Sequence, residues 1–124
     1  MAETSKDELD IVAVIEGYIE GYVNADLPAL RGAFASDAVM NGYVGDRLVT
    51  GTPEPFFRQV GSNPPLGSSG FDPEYDIEHL SITNNAASVV LRETGFGQHN
   101  FTDYMHLLKR DGVWKIVSKT FSTW

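Results

Sequence analysis

The sequence predicts a single α+β domain, in which helices from the amino-terminal half pack on a sheet built mainly from the carboxyl-terminal half. Apolar residues recur at steps of three and four over residues 9–23, as in an amphipathic helix, and alternate with polar residues from Tyr75 onward, as in strands. A third observation is Asp111-Gly112, a favoured two-residue hairpin turn between two alternating segments. The length of 124 residues fits one domain spanning residues 1–124.

Capping patterns predict where the first two helices begin. Ser5 and Glu8 have the spacing of a capping box, so the first helix is expected to start there. Asp26 is expected to cap a second, short helix that has a proline in its first turn and runs to Phe34. Together the two segments predict a helical hairpin.

The middle of the chain combines a third helix with a long loop. Thr52 followed by proline predicts a helix over residues 53–60, whose two phenylalanines and valine supply apolar bulk. Residues 61–74 contain three prolines and three glycines, so no regular element is expected there. A loop of this length in a compact domain is often functional, and we interpret it as a candidate lid.

Alternation and turn residues predict the strands. A strand is expected over residues 38–43, a short extended piece over 48–50, and long strands over 75–83 and 86–96, followed by the final hairpin. Since helices gather at the front and strands at the back, an antiparallel sheet is favoured over a βαβ array.

The Asp111-Gly112 turn fixes an expected register for the last two strands. Counting outward pairs Leu107 with Ile116, Met105 with Ser118 and Asp103 with Thr120. One face of the hairpin then carries Asp103, Met105, Leu107, Trp114, Ile116, Ser118 and Thr120. The other face carries a row of large side chains that includes Tyr104, His106, Val117, Lys119 and Phe121, and this row is a candidate homodimer surface.

Composition excludes several classes of protein. With 42% hydrophobic and 21% charged residues, the chain has the balance of an ordinary globular protein. A formal net charge of −8 opposes binding to nucleic acid or to an anionic membrane, so neither is expected as a partner. The polar, acidic start differs from a secretory signal, which makes a cytoplasmic location the expectation. The absence of cysteine excludes disulfides and thiolate chemistry.

The closing residues carry a recognisable pattern: an acid, an aromatic residue, an apolar run, Asp-Gly-x-Trp-Lys-Ile-Val, and then Lys-x-Phe. Its positions here are Asp103, Tyr104, Leu107, Leu108, Asp111, Gly112, Trp114, Lys115, Ile116, Val117, Lys119 and Phe121. With the order of elements, this pattern resembles the nuclear transport factor 2-like superfamily, and within it the "Putative lumazine-binding" (SnoaL-like) branch. The resemblance covers roughly residues 8–122.

The resemblance implies a cone-shaped curved antiparallel sheet packed against three amino-terminal helices, with a pocket inside and a homodimer formed by the outer sheet face. It also implies that the hairpin face bearing Asp103 points inward. Relatives in the superfamily include ketosteroid isomerases, scytalone-type dehydratases, polyketide cyclases and pure binding modules. A fold shared this widely leaves the chemistry open.

Asp103 is the first candidate for catalysis. A carboxylate in a mostly apolar pocket has a raised pKa, which suits a general acid or base near neutral pH. The structural alternative is that neighbouring hydroxyls satisfy Asp103 and that it only stabilises the sheet. His99 is a second candidate because it lies in a break between strands, at a possible pocket mouth, whereas Glu93 and Glu78 are weaker candidates expected at an exposed edge.

The expected function is binding of a small apolar or aromatic molecule in the pocket. The predicted binding residues are Tyr18, Tyr22, Phe34, Met40, Phe56, Met105, Trp114, Ser118 and Thr120. The alternative is a cofactor-independent acid–base enzyme, an isomerase, dehydratase or cyclase that uses Asp103. No cofactor is expected. The spacing of the three histidines does not favour a metal site.

Overall fold

The computed structural model describes residues 5–124, and within this range the chain forms three helices and one six-stranded sheet. The helices are α1 (Lys6–Val23), α2 (Leu27–Gly32) and α3 (Glu54–Gly61). The strands are β1 (Phe34–Val44), β2 (Arg47–Val49), β3 (Glu74–Thr83), β4 (Ala86–Phe96), β5 (His99–Arg110) and β6 (Val113–Thr123). The predicted α+β class is confirmed.

The sheet is curved and open, with the strand order β2-β1-β6-β5-β4-β3. Neighbouring strands run antiparallel except β1 and β6, which pair in parallel. The sheet is therefore mixed, although antiparallel pairing was expected throughout. The parallel pair is possible because one helix, α3, and four strands separate the two segments in sequence, which leaves ample chain for a crossover.

The predicted caps of the first two helices are confirmed. Ser5 accepts a hydrogen bond from the Glu8 amide at 3.1 Å, and Asp26 accepts one from the Ala29 amide at 3.3 Å. The third helix begins differently, because Pro53 occupies the cap position and no side chain caps the first turn. Thr52 is therefore not a cap.

Two segments that precede β3 differ from the sequence-based expectation. Strand β1 starts at Phe34, which was placed in the second helix, because the Ile116 amide donates to the Ala33 carbonyl at 2.9 Å and begins the parallel pairing. The 61–74 loop contains a short 3₁₀ turn, Leu66–Ser69, where no regular element was expected. Its serines donate to the Pro65 carbonyl, which gives the turn local support.

The closing hairpin turns as predicted. Asp111 and Gly112 have φ values of 52° and 79°, the positive values that a tight two-residue turn requires. Leu107 pairs with Ile116, and Trp114 lies buried on the same face as Leu107. The register near the turn is thus confirmed.

Beyond Ile116 the predicted register is wrong, because Val117 forms a β-bulge. Leu107 pairs with Ile116, but the next residue of β5, His106, pairs with Ser118, so one residue of β6 has no partner in β5. A bulge of one residue reverses the faces of all residues that follow. Met105 therefore lies opposite Lys119 rather than Ser118.

The reversal changes which hairpin residues face the helices. Lys119 and Phe121 are buried on the inner face, whereas Ser118 is half-buried and Thr120 is exposed on the outer face. Lys119 and Phe121 are thereby removed from the predicted homodimer surface, and Ser118 and Thr120 from the predicted pocket. Tyr104 and His106 remain exposed, and dimerisation through this face stays a prediction.

Helix α1 covers the inner face of the sheet and closes the core. Its buried residues Ile11, Ile15 and Tyr18 belong to one apolar cluster with Leu91 and Met105 of the central strands. Among residues 5–124, no helix has the length and apolar character needed to cross a bilayer. Phe96, Phe101 and Phe121 extend this cluster to the end of the sheet away from the Asp111-Gly112 turn.

Candidate functional site

A cavity of about 980 Å³ lies between α3, the 61–74 loop, β2 and the inner face of the sheet. This volume is at the upper end of the range for small-molecule sites. Four of the predicted site residues line it: Tyr22, Met40, Phe56 and His99. Other lining residues include Arg47, Leu48, Gln59, Val60, Leu66, Phe71, Glu93, Phe96, Phe101, Lys119 and Phe121. The loop interpreted as a lid thus contributes to the wall through Leu66 and Phe71.

The other predicted site residues lie elsewhere. Phe34, Met105 and Trp114 are buried in the core, since the cavity occupies only one end of the sheet. Ser118 and Thr120 lie outside because of the bulge. Tyr18 and Asp103 are fully buried immediately behind the cavity wall, as the contacts below show.

Three charged side chains are buried among the described residues, and all three belong to one cluster: Glu93, Asp103 and Lys119. Asp103 pairs with Leu91 of β4, and Glu93 lies two residues further along β4 on the same face. The two carboxyls are therefore diagonal neighbours across adjacent strands, close enough for their side chains to interact. Lys119 reaches them from β6 on the other side of β5.

Tyr18 of α1 links the lysine to the aspartate. The Lys119 Nζ donates to the Tyr18 Oη at 2.6 Å, and that hydroxyl donates to Asp103 Oδ2 at 3.3 Å. Lys119 Nζ lies 3.9 Å from the same Oδ2, so its positive charge balances the carboxylate mainly through space. The rings of Phe56, Phe121 and Tyr18 lie 4.4, 4.9 and 5.0 Å from Nζ and stabilise the ammonium by cation–π interactions.

The two carboxyls are placed to share a proton. Burial raises the pKa of Glu93 well above its ordinary value of 4.5, and the neighbouring Asp103 raises it further. Within residues 5–124, the buried Glu93 Oε2 and Asp103 Oδ1 have no hydrogen-bond partner. A proton on Glu93, directed at Asp103, would give both atoms a partner.

This proton makes stability depend on pH. Since the pKa of Glu93 is raised in the folded chain, the folded chain keeps a proton that the unfolded chain has already released. The contribution of Glu93 to stability is therefore fully present below its ordinary pKa and is lost as pH rises through the raised value. Burial also raises the pKa of Tyr18 and of Tyr22, with the nearby acids adding to the shift, so both hydroxyls stay protonated donors.

Sequence-based reasoning did not place Glu93 and Lys119 in the site, although both are charged, buried and in contact with the cavity. Glu93 was expected at an exposed edge, but it is buried, and it lies opposite Tyr75 because a bulge at Glu78 shifts the register of β3 and β4. Val89 and Leu91 are buried, and Glu93 follows them at the same two-residue step along β4. Because side chains two residues apart in a strand share a face, this spacing indicated that Glu93 also lies on the inner face. Lys119 carried no such indication.

The cluster can donate hydrogen bonds and exchange a proton with a molecule in the cavity. It combines an ammonium, a carboxylic acid and tyrosine hydroxyls in surroundings made of aromatic rings, where electrostatic interactions are strong. Within the part of the chain that the structure describes, no group of three or more His, Asp or Glu residues could hold a metal ion. His99 is exposed at the rim, with its ring 5.9 Å from that of Phe101, and makes no hydrogen bond to Asp103 among the described residues.

A curved sheet that packs against three helices and leaves a cavity at one end defines the nuclear transport factor 2-like class of fold. Solved structures of this class match nearly the whole chain. An NTF2-like protein of unknown function from Shewanella baltica is 29% identical, with 98% of each chain covered and a TM-score of 0.85. Another from Methylobacillus flagellatus is 27% identical, with 98% of this chain and 96% of that chain covered and a TM-score of 0.86.

The chain belongs to the family described as "Putative lumazine-binding", whose profile matches residues 6–122. A ketosteroid isomerase-like protein from Erwinia carotovora atroseptica shares the fold at 20% identity, with 97% of this chain and 98% of that chain covered and a TM-score of 0.69. A search of curated proteins found no match. Fold and family are therefore established, and both are consistent with a ligand-binding domain.

Proposed function

We propose that this protein binds a small apolar or aromatic molecule in the cavity between α3 and the sheet. The observation that carries the proposal is the cavity itself, about 980 Å³ with aromatic walls and a polar floor formed by Glu93 and Lys119. Apolar walls supply affinity through burial, and a few polar groups fix orientation. The family description, which names lumazine binding, supports a small-molecule ligand.

The walls are arranged for a planar ring. Tyr22 meets Phe56 and Phe96 edge to face, with ring centroids 5.1 and 5.0 Å apart. Phe121 lies across the floor beside Lys119. A bicyclic aromatic molecule placed among these rings gains both buried area and ring–ring contacts.

Binding in the cavity is tested with 2-naphthamide and 2-naphthoate as probes, by calorimetric titration of each. We expect saturable binding of at least one probe with one site per chain. Gln59→Trp, which places a large ring at a lining position of α3, should weaken that binding about tenfold or more. The matched control is Arg58→Trp, since the neighbouring Arg58 is exposed and does not line the cavity.

Two results contradict this proposal. One is the absence of binding for both probes. The other is equal binding by Gln59→Trp and wild type, because a ligand site elsewhere on the molecule is then indicated.

The second candidate is a cofactor-independent acid–base enzyme. It is favoured by a specific observation: Tyr18 Oη lies 3.3 Å from Asp103, and Glu93, whose pKa is raised by burial and by the nearby Asp103, lines the cavity. Since Asp103 is fully buried and does not line the cavity, Glu93 is the group that meets the ligand in this candidate. In this candidate Glu93 passes its own proton to Asp103, and the Glu93 carboxylate that results takes the proton from the ligand.

This candidate is tested by hydrogen–deuterium exchange at C1 of 2-tetralone, a bicyclic ketone, followed by NMR in heavy water near neutral pH. Wild type should accelerate the exchange, and Glu93→Gln should reduce the acceleration about 100-fold, the usual contribution of one acid–base group. Exchange at the rate of buffer alone would leave binding as the only function proposed.

Glu93→Gln also has an expected effect on stability that serves as its folding control. The amide can still donate to Asp103, and the folded chain no longer has to hold a carboxyl neutral as pH rises. Its free energy of unfolding at neutral pH should exceed that of wild type by about 1–2 kcal/mol. Lower stability than wild type, measured by urea unfolding across the pH range, would contradict the shared proton.

A further inference from the structure

We propose that the cavity selects organic monoanions: molecules with an apolar or aromatic body and one anionic oxygen group that reaches the Lys119 ammonium. This inference rests on the proposed function, because it names the chemical class of ligand for the same cavity. It follows from how the charges of this chain are distributed between the cavity wall and the rest of the molecule.

The cavity has the opposite charge balance to the protein as a whole. The chain has 17 acidic and 9 basic residues and a net charge of −8. Of the residues that line the cavity, only Glu93 is acidic, whereas Arg47 and Lys119 are basic. Acids on the outer surface act through water and are screened over about 10 Å, but a charge that lines an apolar cavity is screened much less. The field that a ligand meets is therefore set by the lining.

Glu93 does not cancel this positive lining. Burial raises the pKa of the Glu93 carboxyl, which favours its neutral form, and Asp103 on the adjacent strand lies beside it to accept a hydrogen bond. The net charge of Glu93, Asp103 and Lys119 together is then zero. An anion at the floor of the cavity lies next to the Lys119 ammonium. The Asp103 carboxylate that balances this ammonium is farther away, because it is fully buried behind the cavity wall.

Lys119 has donors to spare. An ammonium carries three N–H donors, and in residues 5–124 its one hydrogen bond is to the Tyr18 hydroxyl. Asp103 Oδ2 at 3.9 Å is too distant for a hydrogen bond, so it balances charge without using a donor. The remaining donors face aromatic rings and the cavity, and an anionic oxygen is a stronger acceptor than a ring face.

Arg47 places a second cation at the mouth. It lies on β2, is exposed, and forms no ion pair with any described residue. A guanidinium at the entrance attracts an approaching anion and raises its association rate. The two cations thus act in sequence, Arg47 on the approach and Lys119 at the floor.

The test compares 2-naphthoate with 2-naphthamide, which have the same shape but differ in charge near neutral pH. We expect wild type to bind the carboxylate at least tenfold more tightly than the amide. The preference should disappear in Lys119→Met/Asp103→Asn, which removes the ammonium and its balancing carboxylate together. Lys115→Met is the matched control, since Lys115 lies on the same strand, bonds to the Gly32 carbonyl and does not line the cavity.

Arg47→Gln supplies a second measurement that does not disturb the core. It should slow the association of 2-naphthoate several-fold at low salt and leave 2-naphthamide unaffected, whereas Arg58→Gln should change neither rate. Should the double variant fail to fold, this pair still tests the charge argument.

Equal or tighter binding of 2-naphthamide by wild type would overturn the selection of anions while leaving binding in the cavity intact. Loss of the preference in Lys115→Met would also overturn it, because overall charge and not Lys119 would then be responsible. Absence of binding by both probes overturns the proposed function itself, so the two failures are distinct.

Discussion

Lys119→Met is expected to lower the free energy of unfolding by about 3–5 kcal/mol, the cost of removing one partner of a buried charge pair. Methionine fills nearly the same space, so the effect reports charge and hydrogen bonding more than packing. Asp103 loses the positive charge 3.9 Å away, Tyr18 loses its donor at 2.6 Å, and both of these groups are fully buried. Urea unfolding near neutral pH measures the change.

Two variants show whether the loss comes from the stranded carboxylate. Lys119→Met/Asp103→Asn removes both charges and should recover most of the lost stability, since a buried pair replaced as a whole costs much less than a broken one. Lys115→Met makes the same change outside the core and should alter stability by at most about 0.5 kcal/mol. A double variant as unstable as Lys119→Met would show that the lysine acts through packing and not through its charge.

Trp114→Ala should cost about 3–5 kcal/mol, as expected for emptying a large aromatic site in a core. Trp114 is 3% exposed, and its indole Nε1 donates to Asp7 Oδ1 at 3.0 Å, which ties the start of α1 to the closing hairpin. The same oxygen accepts from the Lys109 ammonium at 3.0 Å. Thermal and urea unfolding measure the loss.

Trp114→Phe separates the two contributions of the indole, because it keeps most of the apolar volume and removes the hydrogen bond to Asp7. Its cost should be well below that of Trp114→Ala. The neighbouring Val113→Ala, at an exposed position next to the turn, is the matched control and should change stability little. A cost for Trp114→Ala no larger than for Val113→Ala would contradict the assignment of Trp114 to the core.

Much of the fold was predictable because local chemistry determines it. Ser5 and Asp26 cap their helices through bonds within three residues of sequence, and Asp111-Gly112 adopts the positive φ values that its turn requires. The side of the sheet on which Trp114 and Leu107 lie followed from the same turn by simple alternation. These features depend on few residues, which lie close together in the chain.

The candidate site was predictable only in part. The structure places Tyr22, Met40, Phe56 and His99 at the cavity; helix periodicity indicated the two aromatic residues, a short strand Met40, and a break between strands His99. Asp103 was identified as an inner-face acid and is indeed fully buried, although it lies behind the wall and not in it. Ser118 and Thr120 were expected beside Asp103, but because of the bulge in β6 Lys119 and Phe121 lie on that face instead.

The sequence by itself determined the α+β class, the starts of α1 and α2 and the closing hairpin, because each depends on spacing along the chain, whereas the inward direction of the face bearing Asp103 was implied by the family resemblance. Only the tertiary structure decided which polar side chains meet. The bulge at Val117 turns Lys119 inward, and the packing of β4 against β5 brings Glu93 beside Asp103. A bulge is set by how two strands and the helix above them fit together, so no local pattern specified it, and the charge of the cavity floor depends on that single extra residue.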